Sequence, residues 1–404
     1  MEKIVVTGYG VIAPNTRNID EFLTNLINGI NCLELDVELA PNKKSTIIGR
    51  IDEELLDDSG EKNFQRLPKA VRMGIKAGKE ALNQSNLHNL SGKKVGIFIG
   101  TSLGSMGEEV FQQSVLQVHE SNHRKVPVIF SHYANHHSVT AAIAYYLGIK
   151  GITKTITTGC TSSLEAVEEA MMYLHAGKLD VAIVGGTDSV IDKLATYGFA
   201  KTKSISLNQS LQEGASPFSL SSTGMAISEA SGVLVLEKEG HAIKRDARIL
   251  GEIENICSNN DGVEIFSVDK TGKMMIEALD EVTSGRYPDY INSQGLGIKI
   301  NDHIEMKCSK ELFNHEVPYT SIKSMYGNPY GASGALQVIS GLLSIQYGFI
   351  PPTIRTDRRG FEEMNIITDT VFTQINEVAI TNHGYGGNNA CVYIKKYEQS
   401  GEQH

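Results

Sequence analysis

The chain has 404 residues, 41% of them hydrophobic and 21% charged, a globular balance that excludes a disordered polymer. That length exceeds what one core usually fills, and the 37 basic against 47 acidic residues (formal charge −10) argue against general nucleic-acid binding. No run approaches the ~20 apolar residues of a membrane-spanning helix, and Met1 to Gly8 reads as a strand and a turn rather than a signal peptide, so a cytoplasmic protein is expected.

In chain order, short apolar runs ending in or bounded by glycine recur at Ile4 to Gly8, Val95 to Gly100, Val181 to Gly186 and Gly232 to Leu236, with a last strand at Ala379 to Thr381. Continuous runs of this length read as strands covered on both faces. Gly8-Tyr9-Gly10 reads as a strand-end turn and lacks the rest of a dinucleotide fingerprint, so no nucleotide cofactor is implied. Helices are expected over Lys69 to Leu82 and over Ser162 to Ala176, where Leu164, Val167, Met171 and Leu174 recur at three- and four-residue steps. Ala332 to Leu343 is small and apolar throughout, which places it inside the molecule. Strands alternating with helices imply an α/β layered architecture. The charged stretch from Lys238 to Asp246 divides the chain into units 1–245 and 246–404, although no repeat of fixed period is visible.

Five cysteines (Cys32, Cys160, Cys257, Cys308, Cys391) are widely spaced and odd in number, without a C-x-x-C pair. This excludes a disulfide scaffold or a zinc ribbon and fits a reducing compartment. Cys160 stands between the extended run Ile152 to Ile156 and the start of a helix. Gly159 permits a tight turn, and Thr161, Ser162 and Ser163 suit a helix start. A thiol there meets the positive end of the helix, which is expected to lower its pKa, and its backbone N–H can face an oxyanion. An arbitrary cysteine is more often a small buried hydrophobe; this strand–glycine–helix setting favours a nucleophile. The other four are expected to be packing residues.

Ordered segments then resemble one family over essentially the whole chain. They are Val5-Val6-Thr7-Gly8-Tyr9-Gly10, Ile99-Gly100-Thr101, the Cys160 turn, Gly185-Gly186-Thr187-Asp188, Ser216-Pro217-Phe218-Ser219 and Glu229 to Leu236. Asn292-Ser293-Gln294-Gly295, Asp302 with Glu305, Lys323-Ser324-Met325, Gly331 to Ala335, Pro351-Pro352-Thr353 and Asn382 to Asn389 complete the series. The chain resembles the β-ketoacyl-[acyl-carrier-protein] synthases of the thiolase fold, nearest the KAS II type. That resemblance implies two similar βαβ halves in an α-β-α-β-α arrangement. It also implies an acyl group carried on Cys160 and a carbanion made by decarboxylating a malonyl thioester.

Two histidines normally serve the decarboxylation. Gln294 and Asn328 occupy both positions here. An amide can donate to a thioester oxygen but cannot shuttle a proton near neutral pH. General acid–base help is worth about 10²–10⁴-fold, so their loss is expected to cripple decarboxylation. His383 replaces the phenylalanine that gates the family's acyl pocket, on a loop where a Cys160/His383 arrangement is conceivable and a merely hydrogen-bonded histidine the blander alternative. The charged Arg-Pro-Phe-Asp loop has become Ser216 to Ser219 and lost its charges. Lys323 and Glu305 are expected to form a buried ion pair. His303 reads as bland, and the adjacent His136-His137 cannot share a helix face, so no metal site is expected.

Two functions of different kinds follow from the resemblance. One is a non-condensing, chain-length-factor-like partner of a competent ketosynthase in a type II polyketide or fatty-acid system. The other is a Cys160-dependent acyltransferase or non-decarboxylating condensing enzyme, with oxyanion donors from Cys160 and His383. An intact but unorthodox synthase is a third. Either of the first two implies an acyl carrier protein, which supplies its own phosphopantetheine arm, and a homodimer or heterodimer. An acidic carrier needs a local basic patch on an acidic chain. Lys62, Arg66, Lys69, Arg72, Lys76 and Lys79 lie at helical spacing with Lys201 and Lys203 as a second group, and Arg66, Lys69 and Lys203 match the family's docking positions; a solvated helix face is the alternative. The apolar stretch Val126 to Tyr133 is expected at a dimer interface, with Phe111, Leu116, Phe130 and Tyr133 as candidate chain-gating side chains.

Overall fold

A computed structural model describes residues 2–56, 64–106 and 108–399. Ten strands form its main sheet: β1 (Ile4–Ile12), β2 (Val95–Gly100), β3 (Ile152–Ile156), β4 (Val181–Asp188), β5 (Ala230–Lys238), β6 (Gly251–Asn260), β7 (Tyr290–Asn292), β8 (Tyr319–Thr320), β9 (Glu377–His383) and β10 (Asn388–Lys395). Their spatial order is β8-β7-β9-β10-β6-β1-β5-β4-β2-β3. Counted outward from the centre, each half therefore repeats the order first, fifth, fourth, second, third. The pairing sense repeats too: β2 is parallel to β3 and β4, as β7 is to β8 and β9, and the remaining contacts within each half are antiparallel. The duplication is invisible as a sequence period because the connections differ in length, yet the topology carries it strand for strand. Antiparallel pairing of Ile4 with Ile253, Val5 with Glu252 and Val6 with Gly251 joins the halves edge to edge. Helix Glu239–Lys244 occupies the charged stretch between them.

Five helices set the layers: α1 (Lys69–Gln84), α2 (Ser162–His175), α3 (Lys273–Thr283), α4 (Lys299–Phe313) and α5 (Ser333–Tyr347). α2 and α5 touch one another and strands of both halves, α1 covers β1, β5 and β4, and α3 covers β6, β9 and β10. The layering is thus α-β-α-β-α. The expected interior helix is α5, buried on every side from Ser333 to Ser344. Its Leu336, Ile339 and Leu342 join Leu164, Val167 and Leu174 of α2 in the central core. Burying such side chains is worth roughly 1.5–3 kcal/mol each, which is why the two helices bearing the site's loops are held so firmly.

One expectation fails. Gly8 and Gly10 do not end a strand: β1 runs on to Ile12. A Cβ at Gly8 would lie 2.2 Å from the carbonyl oxygen of Ala81, and one at Gly10 2.1 Å from that of Ala77. Those glycines let α1 press its backbone onto the strand, a packing role rather than a turn.

Candidate active site

Cys160 is set by local geometry. β3 ends at Ile156, Gly159 takes φ +74°, and a single 3₁₀ turn from Gly159 to Thr161 runs into α2. Ser162 Oγ donates to the carbonyl of Gly159 (2.8 Å) and Thr161 Oγ1 to Glu165 Oε1 (2.6 Å), fixing the turn from inside the helix. From the other half, β9 delivers His383, and Gly384 follows it, where an added Cβ would lie 4.0 Å from Cys160 Cβ. Ser102, Thr158, Phe199, Met225, Leu296, Ile298, Asn328 and Tyr330 complete much of a cavity of about 140 Å³ over the sulfur.

The thiol is surrounded by amides. Asn328 Nδ2 lies 3.6 Å from Cys160 Sγ and also reaches Met225 Sδ at 3.2 Å, and Gln294 is a second amide that favours the thiolate. The expected lowering of the thiol pKa does not occur. Burial pushes Cys160 up, and Asn328, the Lys323 charge and Gln294 pull it only part of the way back. A thiol in this setting is a proton-bearing group at neutral pH.

Behind it lies a buried polar network with a different wiring from the one expected. Lys323 and Glu305 do not pair. Lys323 Nζ donates to Gln337 Oε1 (2.9 Å) and to the Ser293 carbonyl (3.4 Å), and burial pushes its pKa down to about 7. Glu305 instead accepts from Thr381 Oγ1 (2.8 Å) and faces His383 Nε2 (3.1 Å). The His383 ring is completed by Asn301 Nδ2, 3.2 Å from Nδ1, and is buried to 1% exposure. With Asn301 donating to Nδ1, Nε2 carries the proton toward Glu305, so the imidazole has no nitrogen left for the thiol. The conceived Cys160/His383 dyad is not formed. Gln294 Nε2 donates to the His383 carbonyl (2.8 Å), tying the two loops together.

Asn301, Gln337, Met225 and Asp188 do not stand out as site residues in the sequence. Asn301 has a signal there, standing four residues before Glu305 on α4 and so on the same helix face. Asp188 ends the Gly185-Gly186-Thr187-Asp188 segment, whose role the sequence leaves open: it accepts from the backbone of Ser102, Leu103, Gly104 and Gly331 and from Thr101 Oγ1, lacing a cavity-lining loop of one half to the Asn328 loop of the other.

The docking residues separate. Arg66 and Lys203 are exposed. Lys69 is not available to a partner, because its ammonium is held by Glu229 and the Ile51 carbonyl. Arg72 is buried against Glu53 and Gln65. The expected basic helix face therefore points largely inward, and Lys62 lies outside the described residues. Phe111 stacks on Phe130 with ring centres 5.5 Å apart, Tyr133 is buried and Leu116 is 60% exposed. None of these four lines the Cys160 cavity. His303 Nδ1 donates to the Lys299 carbonyl (2.6 Å), a local helix contact. Among the described residues no helix is long and apolar enough to cross a membrane.

Two mirrored half-sheets, with a cysteine at the head of a central helix, define a thiolase-like ketosynthase fold. Residues 1–242 match the β-ketoacyl synthase N-terminal domain and residues 250–357 its C-terminal domain, and the chain belongs to the β-ketoacyl synthase family. It is 26% identical to the 3-oxoacyl-[acyl-carrier-protein] synthase 2 of Staphylococcus aureus (strain N315), covering 98% of this chain and 99% of that one. Among solved structures it superposes with TM-score 0.87 and 22% identity on a type II polyketide synthase acyl-carrier protein in complex with its ketosynthase, over 98% and 100% of the chains. The ishigamide ketosynthase/chain length factor follows at 0.86 and 20%, over 98% and 100%.

Proposed function

We propose that this chain is a non-condensing ketosynthase-like subunit, a chain-length-factor-like partner of a competent β-ketoacyl synthase acting on carrier-bound chains. The observation that carries it is the chemistry at the sulfur. Asn328, whose amide meets the sulfur, and Gln294 stand at the family's histidine positions, and the nearby imidazole, His383, is spent on Glu305 and Asn301. Such a site can hold a chain but cannot return a proton during loss of CO₂. The two halves, 1–245 and 246–404, supply the thiol and the amide network respectively.

An unlike or like second ketosynthase-fold chain would join at β3, one edge strand of the sheet, where Met172, Tyr145 and Val128 are exposed nearby in sequence. Phe111, Leu116, Phe130 and Tyr133 would then act across the interface rather than on Cys160. Arg66 and Lys203 remain as docking cations for an acyl carrier protein. Relatives of known structure that pair a ketosynthase with a chain length factor or a carrier support both partners.

The test is CO₂ release from malonyl-carrier protein by the purified chain. It is expected to stay at background alone and to appear only with a co-purified, histidine-bearing ketosynthase. Release by the chain alone at rates normal for its relatives overturns the proposal. A second reading, Cys160-dependent acyl transfer, is favoured by the intact turn that presents the thiol to a cavity; acylation of Cys160 by an acyl-carrier thioester, read by intact-protein mass, would establish it.

A further inference from the structure

Two buried polar atoms of side chains that line the Cys160 cavity have no hydrogen-bond partner among the described residues, and they are of opposite kinds. Tyr330 is 5% exposed, and its hydroxyl is one of them. Burial first, then Cys160, Asp188, Tyr385 and Asp192, hold that phenol well above its ordinary range, so it keeps its proton and is a donor. Asn301 lines the cavity from α4. With its Nδ2 engaged at His383 Nδ1 (3.2 Å), its Oδ1 is left as an acceptor.

Tyr330 is held where it stands. It takes φ +46°, a left-handed conformation that strains an aromatic residue and persists where the surroundings impose it, commonly at functional sites. Its N–H donates to Asn328 Oδ1 (3.3 Å), on the side chain whose Nδ2 reaches the sulfur. The next N–H, of Gly331, donates to Asp188 Oδ2 (2.7 Å), and the Tyr330 ring stacks on Phe199 with centroids 4.9 Å apart. The stack needs only the ring, so packing does not account for the hydroxyl. A buried donor or acceptor left unpaired is costly. A single hydroxyl relieves both atoms, accepting from the phenol and donating to the amide oxygen. A saturated chain relieves neither, and a ketone only the first.

We infer that the Cys160 site takes a hydroxylated acyl group, with Tyr330 as the specificity-determining residue: its phenol donates to a hydroxyl that the chain carries near the thioester, and that hydroxyl donates in turn to Asn301 Oδ1. The acyl part rests on the second reading above, that Cys160 takes acyl groups; the recognition of a hydroxyl does not.

Disulfide exchange on the full chain measures that recognition without acyl transfer. Glutathione attacks the alkyl sulfur of a mixed disulfide at Cys160, and Cys160 leaves with the bonding pair and takes up the proton that glutathione loses. The equilibrium, read by peptide mass, reports how well each alkyl group is held. A 2-hydroxyethyl group sets its oxygen as many atoms from the Cys160 sulfur as the 3-hydroxyl of an acyl thioester, and propyl puts a methyl there. The hydroxyethyl-to-propyl ratio is expected to be higher in wild type than in Tyr330→Phe by about threefold or more, the size of one net hydrogen bond. Tyr330→Phe keeps the ring and its stack and is expected to keep the wild-type thermal midpoint, since the phenol has no partner to lose. Methoxyethyl against butyl supplies an oxygen that accepts but cannot donate. Tyr330→Phe is expected to lower both ratios, and Asn301→Leu only the hydroxyethyl-to-propyl one. Ratios unchanged in Tyr330→Phe overturn the inference, as does a lowered midpoint, which would mean that the phenol already has a partner within the protein. An Asn301→Leu chain that lowers neither ratio, or both alike, overturns the assignment of a hydroxyl. 3-Hydroxybutyryl and butyryl carrier thioesters run in parallel separate the two ideas: if neither acylates Cys160, the acyl-transfer reading fails while the disulfide series still decides on Tyr330.

Discussion

A thiol at the head of a helix is ordinarily read as activated, and at Cys160 two opposing effects meet. The helix N-terminus and the Lys323 charge favour the thiolate, while enclosure by protein removes the water that would solvate it, and burial prevails. A thiol raised above its usual range is neutral at pH 7, and its reactive fraction grows with each step in pH. The rate of Cys160 alkylation by iodoacetamide is therefore expected to climb about tenfold per pH unit from 6 to 9 without a plateau. Asn328→His places an imidazole where an amide nitrogen now sits 3.6 Å from the sulfur. As an imidazolium it would stabilise the thiolate, bring a plateau below pH 8 and raise the pH 7 rate about tenfold or more, since lowering a pKa by about one multiplies the thiolate fraction by about ten. Peptide-resolved mass spectrometry distinguishes Cys160 from the other four cysteines. A wild-type profile already flat by pH 7.5 would mean that the helix, not burial, governs this sulfur.

At the level of elements, α1 shows what a spacing argument can and cannot reach. Its basic residues recur at helical steps, and the helix itself is where the periodicity places it. Which face is solvated depends on what covers it, and here Glu229 from beside β5 and Glu53 from a neighbouring turn reach in to Lys69 and Arg72. Those contacts join residues 160 and 19 positions apart, which no local pattern encodes. The same reason explains the site: the turn at Cys160 is local and legible, and the amides at Gln294 and Asn328 are legible through resemblance. The rewiring of Glu305 from Lys323 to His383 depends on three segments meeting and is not. The consequence for α1 is testable. Lys69→Glu would set a third carboxylate beside Glu229 and Glu108 where the Lys69–Glu229 pair is largely buried and is expected to cost about 3–5 kcal/mol in denaturant unfolding, the penalty for breaking a buried pair. Lys203→Glu, on an exposed residue, is expected to move stability by under about 0.5 kcal/mol while weakening carrier binding. If Lys69→Glu instead leaves stability untouched and abolishes carrier binding, the inward assignment of that helix face is wrong.

For the molecule as a whole, the layered interior has trapped carboxylates whose titration should shape its stability. Burial raises Glu108 and Asp302 to about 7 and Asp188 and Asp192 to about 6, against about 4 in an unfolded chain. Between those limits the folded state holds more protons than the unfolded one, so stability must fall as pH rises from about 4 to about 7 and then level off. Lys323 acts oppositely: burial lowers it to about 7, so the unfolded chain holds the extra proton above that pH and stability recovers toward 10. Glu237, held below the usual carboxylate range by Arg245 and Thr7 despite its burial, adds stability that is lost in acid. These groups together place the thermal midpoint highest near pH 5 and lowest near pH 7. A pKa displaced by one between the folded and unfolded chain changes stability by ~1.4 kcal/mol, so a net displacement of about two across these groups, ~2.8 kcal/mol, is expected to lower the midpoint by about 3 °C between pH 5 and pH 7. Glu108→Gln removes one of the four titrations and should flatten the slope between pH 5 and 7 without abolishing it, because its amide oxygen can still accept from the backbone of Lys69. Scanning calorimetry across that range decides the matter: a midpoint that rises steadily from pH 5 to 7 would mean that the buried carboxylates are already ionised in the folded protein, their backbone donors having outweighed desolvation.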